Sequence, residues 1–243
     1  MRSENEIVHG YKLVQIDPEK VWGWGTPAGQ IRAKRRAEMI ISGADLKPGV
    51  RALEIGCGTG LFTEMFASAG AHLVAVDISA ELLKFAQARR LTSNRVQFLE
   101  KRFEECNVDG PFDAVIGSSI LHHLEIKDAI FKIYSLLKPG GVMCFTEPNM
   151  LNPQIFIQKN VPWIKERLGD SADETAFLRW PFRSLLLNAG FEKEEIKPFD
   201  WLHPATPVML IKSISVMSRF LEKIPVVREF AGSLYIKCRR PKR

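Results

Sequence analysis

Cysteine is scarce and scattered. Cys57, Cys106, Cys144 and Cys238 form no CxxC pair and no metal-ligand spacing. That excludes a disulfide framework and a zinc module, predicts no metal, and fits reduced thiols. The first ten residues hold no apolar core, so no signal peptide is expected there. No run approaches the roughly 18 apolar residues of a membrane span, and the most apolar late stretch, 207–217, is interrupted by Lys212. Internal repeats and low-complexity segments are also lacking, which sets solenoids and disordered tails aside. The expected setting is the cytoplasm.

What is present fits a globular protein. The 243 residues are 46% hydrophobic and 26% charged, enough for one domain with a sizeable core. The net charge is +6, and much of the excess sits in Arg32, Lys34, Arg35 and Arg36 and in the tail Lys237, Arg239, Arg240, Lys242 and Arg243. Neither cluster is interleaved with aromatic residues, so no base-stacking platform is indicated and nucleic acid is not the expected partner.

Between about 50 and 147, short β-rich runs alternate with helical patterns. Strands are predicted at 51–55, 73–76, 96–99, 114–117 and 142–146, and helices at 61–69, 80–90 and 127–137. Ser79 is placed to cap the second of these helices, and Leu83, Ala86 and Arg90 share one of its faces. The run Lys138-Pro139-Gly140-Gly141 ends the third sharply. Such alternation implies right-handed crossovers and a parallel sheet. The flanks differ. A Trp22–Trp24 turn precedes a helix around 28–42; a helix follows near 182–189, two closing strands at 191–199 and 233–239, and a helical segment at 206–223 between them. One domain over 1–243 is expected, with 1–49 as lid and helix and 148–232 as acceptor-side decoration and closing elements.

The sharpest signal is LEIGCGTG at 53–60. A strand ends in Gly56, Gly58 and Gly60, and a helix begins at once. Glycine there allows positive φ and close approach of the backbone to a ligand, and the free N–H groups of the helix start point the same way. The next strand ends on Asp77, 17 residues after Gly60, where a carboxylate can accept from both hydroxyls of a ribose. The dinucleotide pattern GxGxxG has its third glycine one place later and a helix dipole for pyrophosphate. Here the pattern is GxGxG with Glu54 before it, which suits a cationic ligand.

With VDIS (76–79), FDAVIGSSILHHL (112–124) and LLKPGGVMCFTEP (136–148), this loop makes four ordered blocks. Together they resemble the class I S-adenosylmethionine-dependent methyltransferases of the small-molecule, methyltransferase-11-like group. The resemblance implies a Rossmann-like α/β fold: seven strands, mostly parallel, helices on both faces, the last strand antiparallel. It implies that Gly56, Gly58 and Gly60 face the methionine part of S-adenosylmethionine and that Asp77 holds its ribose. Glu54, Cys57, Thr59, Ile78 and Ser118 complete the expected cofactor set. One position departs from the family: where an acid usually meets adenine stands Arg102, so Glu104 or the backbone of Phe103 is the expected substitute.

The sulfonium makes the methyl a good electrophile, so the protein must mainly align a nucleophile and exclude water. His122 and His123 follow the fourth strand and are base candidates for a hydroxyl or carbon acid; a packed helix cap is the other reading of the pair. Glu147 is either a rival base or a loop-ordering carboxylate. Trp163, Trp180 and Phe182 either line an acceptor pocket or fill core. Arg183 either meets an anionic acceptor or starts a surface helix. The apolar stripe in 208–223, with Lys212, Arg219 and Lys223, either packs or rests on the inner face of an anionic membrane. The expected reaction is methyl transfer to a small-molecule or lipid-like acceptor, with O, N and C acceptors all open. The alternatives are a non-catalytic S-adenosylmethionine-binding regulator and an NAD-dependent oxidoreductase. Nucleic-acid amino-methylation lacks its Asn/Asp-Pro-Pro-aromatic motif at Ser118-Ser119-Ile120-Leu121.

Overall fold

A computed structural model describes residues 7–8, 10–11, 13–89, 91, 94–168 and 174–242. Seven strands form one sheet: β1 (Arg51–Ile55), β2 (His72–Asp77), β3 (Val96–Glu100), β4 (Phe112–Ser118), β5 (Leu137–Pro148), β6 (Glu192–Phe199) and β7 (Ser233–Arg239). Their order is β3-β2-β1-β4-β5-β7-β6. β1 to β5 pair in parallel, while β7 runs antiparallel to both neighbours. The expected fold class is therefore the observed one. The order reverses between β1 and β4, and in such sheets a ligand binds beyond the carboxyl ends of the strands at that switch point.

Eight helices of six or more residues surround the sheet among the described residues: α1 (Pro27–Gly43), α2 (Leu61–Ser68), α3 (Ala80–Ala88), α4 (Ile126–Leu136), α5 (Pro153–Asn160), α6 (Pro162–Arg167), α7 (Arg179–Asn188) and α8 (Val208–Leu221). α1 begins because Thr26 caps it, its Oγ accepting from Gly29 N at 3.0 Å, with Pro27 already at the helical φ. Its stripe of Ala33, Ala37 and Ile40 packs with Phe62, Phe66 and Leu73 on one face of the sheet. The other face buries Leu53, Ile55, Ile130, Ile133 and Leu186. Alternation along β1 sends Leu53 and Ile55 to that second face and Ala52 to the first.

Two expectations shift. α3 ends at Ala88, and Arg90 lies outside the described residues. The strand expected to start at 142 starts at Leu137 instead: β7's continuation binds this stretch, Gly140 N donating to Arg240 O at 3.0 Å, so the Lys-Pro-Gly-Gly run is strand with an irregularity in its pairing to β4. Within the basic clusters, several guanidinium groups are paired. Arg32 and Arg35 pair with Asp200 and Glu222, and Arg240 donates to the carbonyls of Tyr134 (3.0 Å) and Leu137 (2.7 Å) at the end of α4; Arg243 lies outside the described residues. Among the described residues no helix is long and apolar enough to cross a membrane.

Candidate active site

A cavity of about 950 Å³ opens beyond the carboxyl ends of β1, β2 and β4. Its floor is the loop between β1 and α2. Gly56 N and Cys57 N both donate to Val76 O (2.8 and 3.1 Å), and Gly58 N donates to Asp77 Oδ2 (2.7 Å). The other Asp77 oxygen accepts from Ser79 N at 2.9 Å, while Ser79 Oγ caps α3. Gly56 is required twice over. Its φ is +66°, and a Cβ there would stand 2.3 Å from Ile120 Cγ1. Gly58, at φ +52°, lies under Trp22, whose ring would be 3.3 Å from an added Cβ.

The wall holds Gly56, Cys57, Gly58, Thr59, Asp77, Ile78, Phe103, Glu104 and Ser118, as well as His122 and His123. Gly60 and Glu54 are not on it. Gly60 starts α2 and packs against Ala86 of α3. Glu54 is buried behind the loop with Oε2 unpartnered among the described residues. Burial, helped by the nearby Asp77 charge, pushes its carboxyl up to about 8. Burial also raises the Asp77 carboxyl, against the N–H groups of Ser79 and Gly58 that favour its charged form. The Cys57 thiol is pushed well above its ordinary value by burial and by Asp77 and Glu54.

The Trp22–Trp24 turn covers the loop from the N-terminal side and is fastened there. Thr59 Oγ donates to Glu19 Oε1 at 2.8 Å, Arg89 Nε donates to Thr59 O at 2.7 Å, and the same guanidinium pairs with Glu19 and Glu64.

Beyond the loop lies a second wall, whose charged residues Arg36 and Asp200 the sequence did not place at the site. Arg36 of α1 is 3% exposed. It donates to Ser119 Oγ (3.3 Å) and Ser233 Oγ, and Asp200 Oδ2 is 3.7 Å away. Its Nε is buried with no partner among the described residues. Burial, with Arg32 beside it, lowers its guanidinium to about 10. Ser119 and Asp200 both sit at positive φ, +57° and +75°, the kind of local strain that gathers at functional sites. A signal was available: 33, 36, 37 and 40 are one helical stripe, and Arg36 is the charge on it.

His122 is 3% exposed, with Nδ1 2.6 Å from Glu147 and Nε2 3.3 Å from Glu174. Burial works against its charged form, but the two carboxylates outweigh it and push the imidazole up to about 9. Glu174 is held well below the usual carboxylate range: burial opposes this, and His122, His123 and Lys159 overcome it. Glu147 also accepts from Ile120 N and Leu121 N at 2.9 Å each, so it orders the loop after β4 from beneath. His123 lies beside His122, ring centroids 4.2 Å apart. The donor atoms of His122, His123 and Glu174 lie within 4.8 Å of one another. A cation there would have to displace the His122 proton.

The acceptor-pocket reading of three aromatics is corrected. None lines the cavity. Phe182 is core, 4.7 Å from Phe177, because α7 turns it inward; Trp163 and Trp180 are exposed. Arg183 is a surface residue paired with Glu194. Trp201, His203, Gln154 and Lys159 take the wall positions instead.

Residues 52–141 match a sequence profile described as a methyltransferase domain. A ubiquinone biosynthesis O-methyltransferase of Xanthomonas campestris pv. campestris is 40% identical over 108 residues, 42% of this chain and 44% of that protein. One of the same name from Xylella fastidiosa is 39% identical over 150 residues, 56% and 60% of the two chains. The chain thus spans about half the length of the relatives it matches. The N-methyltransferase NodS of Bradyrhizobium japonicum WM9, solved with S-adenosyl-L-homocysteine, shares the fold at a TM-score of 0.58 and 16% identity, covering 89% of each chain. Profile, switch-point cavity and glycine loop point the same way: residues 52–141 resemble a methyltransferase domain, and the sheet around them has the fold of the solved methyltransferase NodS.

Proposed function

We propose that this chain transfers the methyl group of S-adenosylmethionine to a hydroxyl of a small-molecule or lipid-like acceptor. One observation carries the reading: the loop from Gly56 to Gly60 is clamped to the acid ending β2 at the switch point, beside a cavity of about 950 Å³. The residues fit such a cofactor. A buried Arg36 Nε on the cavity wall lacks a partner among the described residues, which matches a ligand bearing a carboxylate. The hydroxyl acceptor is taken from the relatives named O-methyltransferase.

S-Adenosylmethionine supplies an electrophilic methyl on a sulfonium. Around it, Asp77 accepts from the ribose diol with the lone pairs that Gly58 and Ser79 leave free. The loop backbone of Gly56, Cys57, Gly58 and Thr59 receives the methionine part, with Arg36 toward its carboxylate and Glu54 supporting the loop from behind. Ile78, Phe103 and Glu104 flank the base, and Ser118 stands at the β4 edge. His122 already carries a proton between two carboxylates, so it positions the turn. That leaves His123 as the general base for the acceptor hydroxyl. Trp22 and Trp24 exclude water from the loop. Because β6 and β7 continue the same sheet, the whole chain acts as one unit.

Isothermal calorimetry on the purified protein tests the reading. Saturable heat is expected with S-adenosylmethionine and S-adenosylhomocysteine but not with NAD, with Asp77→Asn weakening it by about 100-fold (roughly 3 kcal/mol for two charge-assisted hydrogen bonds). No heat with either sulfur nucleoside would refute it. Binding without transfer to any phenolic or lipid hydroxyl would favour the regulator instead.

A further inference from the structure

α8 interrupts the sheet's closing hairpin and presents two unlike faces. Inward, Ile211 packs on Ala28 and Leu202, with Ile214 against them. Arg35 of α1 holds the far end through a two-pronged pair with Glu222 (2.8 and 2.6 Å). The apolar stripe in the sequence is therefore only partly a packing face. Outward, Val208 is 70% exposed, Met209 85%, Val216 65% and Phe220 63%. Single exposed apolar side chains need no explanation, but a helix turning its larger ones to solvent does.

Charge sorts the same surface. The helix reads VMLIKSISVMSRFL, with two cations and no acid. Lys212 and Arg219 are both exposed and seven residues apart, so they line one edge of the outward face. Lys223 is exposed just beyond the helix end. Apolar residues in the middle and cations along one border match a bilayer surface carrying anionic lipid headgroups. A protein partner with an apolar groove would leave that basic border without a counterpart.

Position adds a reason. The segment entering α8 is itself cavity wall: Trp201, Leu202, His203, Pro204 and Ala205 line the site. His203 Nε2 meets Gln154 Nε2 of α5 at 2.7 Å, and α5 carries the exposed pair Phe156 and Ile157. We infer that the outward face of α8 docks on an anionic membrane, next to the cavity entrance, so that an amphiphilic acceptor enters the site directly from the lipid. Docking stands on the helix alone; entry of the acceptor rests on the methyl-transfer reading.

Vesicle flotation of the purified chain decides it. Vesicles of phosphatidylcholine with one quarter phosphatidylglycerol should carry the protein up the gradient. Pure phosphatidylcholine should carry much less, and 0.5 M NaCl should release it. Lys212→Gln and Arg219→Gln should each weaken partitioning about fivefold, and Met209→Ser with Phe220→Ser should abolish it. Hydrogen exchange across 208–220 of the unaltered protein should slow when the anionic vesicles are added. Absence of flotation, equal flotation of the Met209/Phe220 variant, or a dimer that this variant dissociates would overturn the inference. S-Adenosylhomocysteine calorimetry on the same samples separates the two readings: lost heat with intact flotation removes the enzyme reading and leaves docking in place.

Discussion

His122 holds a proton between Glu147 and Glu174, and alkaline pH takes it away. The ring's ordinary value is 6.5 and its value in the fold is about 9. At 1.36 kcal/mol per unit, that difference amounts to about 3 kcal/mol of folding free energy. Because the folded value lies above the unfolded one, this stabilisation is complete below pH 6.5 and is lost as pH rises through 9. Glu54, raised from 4.5 to about 8 by burial, erodes stability over a lower window, between those two values. The buried thiols erode it above their ordinary value of 9. Comparing the protein with His122→Gln removes both contributions, since both chains share them. Urea unfolding at pH 7 and pH 10 should show the natural chain losing about 3 kcal/mol more than the variant, a large part of a typical stability of about 5–15 kcal/mol. Ring-carbon NMR should place the titration near pH 9. Equal losses in the two chains would mean that His122 is neutral, and would return it to candidacy as the base.

Three further outcomes follow from the site. Replacing Arg36 by Met should weaken S-adenosylhomocysteine binding at least tenfold by calorimetry, while Arg32 keeps Asp200 paired at 2.8 Å. Gly56→Ala should lower the thermal midpoint and remove cofactor binding, since it adds a left-handed penalty of about 1–2 kcal/mol to an overlap with Ile120 at 2.3 Å. His123→Ala should cut kcat by about 10²–10⁴ with S-adenosylhomocysteine affinity unchanged; an unaltered kcat would rule out its role as base.

The centre of the sheet was legible because β1, β2 and β4 are buried on both faces and read as short apolar runs. β1 was placed to the residue and β2 to within one at each end. The glycine loop was legible because a required backbone shape leaves its mark as residue type. Asp77 followed from the loop by strand geometry alone. The acceptor side left no such mark. Glu174, His203 and Asp200 come from segments without periodicity, and only the chain's return to the sheet edge brings them near His122 and Arg36. The aromatics of 163–182 misled because their composition resembles a pocket, while α7 buries one and leaves another to solvent. The start of β5 was hidden because a non-local partner, the chain beyond β7, overrides the turn chemistry of Pro139 and Gly140.

Cys57 stands in the very loop that cradles the proposed methyl donor, and sulfur is a good target for alkylation. Only the thiolate attacks readily, and burial beside two carboxylates keeps this one as S–H. Under the proposed reading, a donor held there would be shielded from its own container.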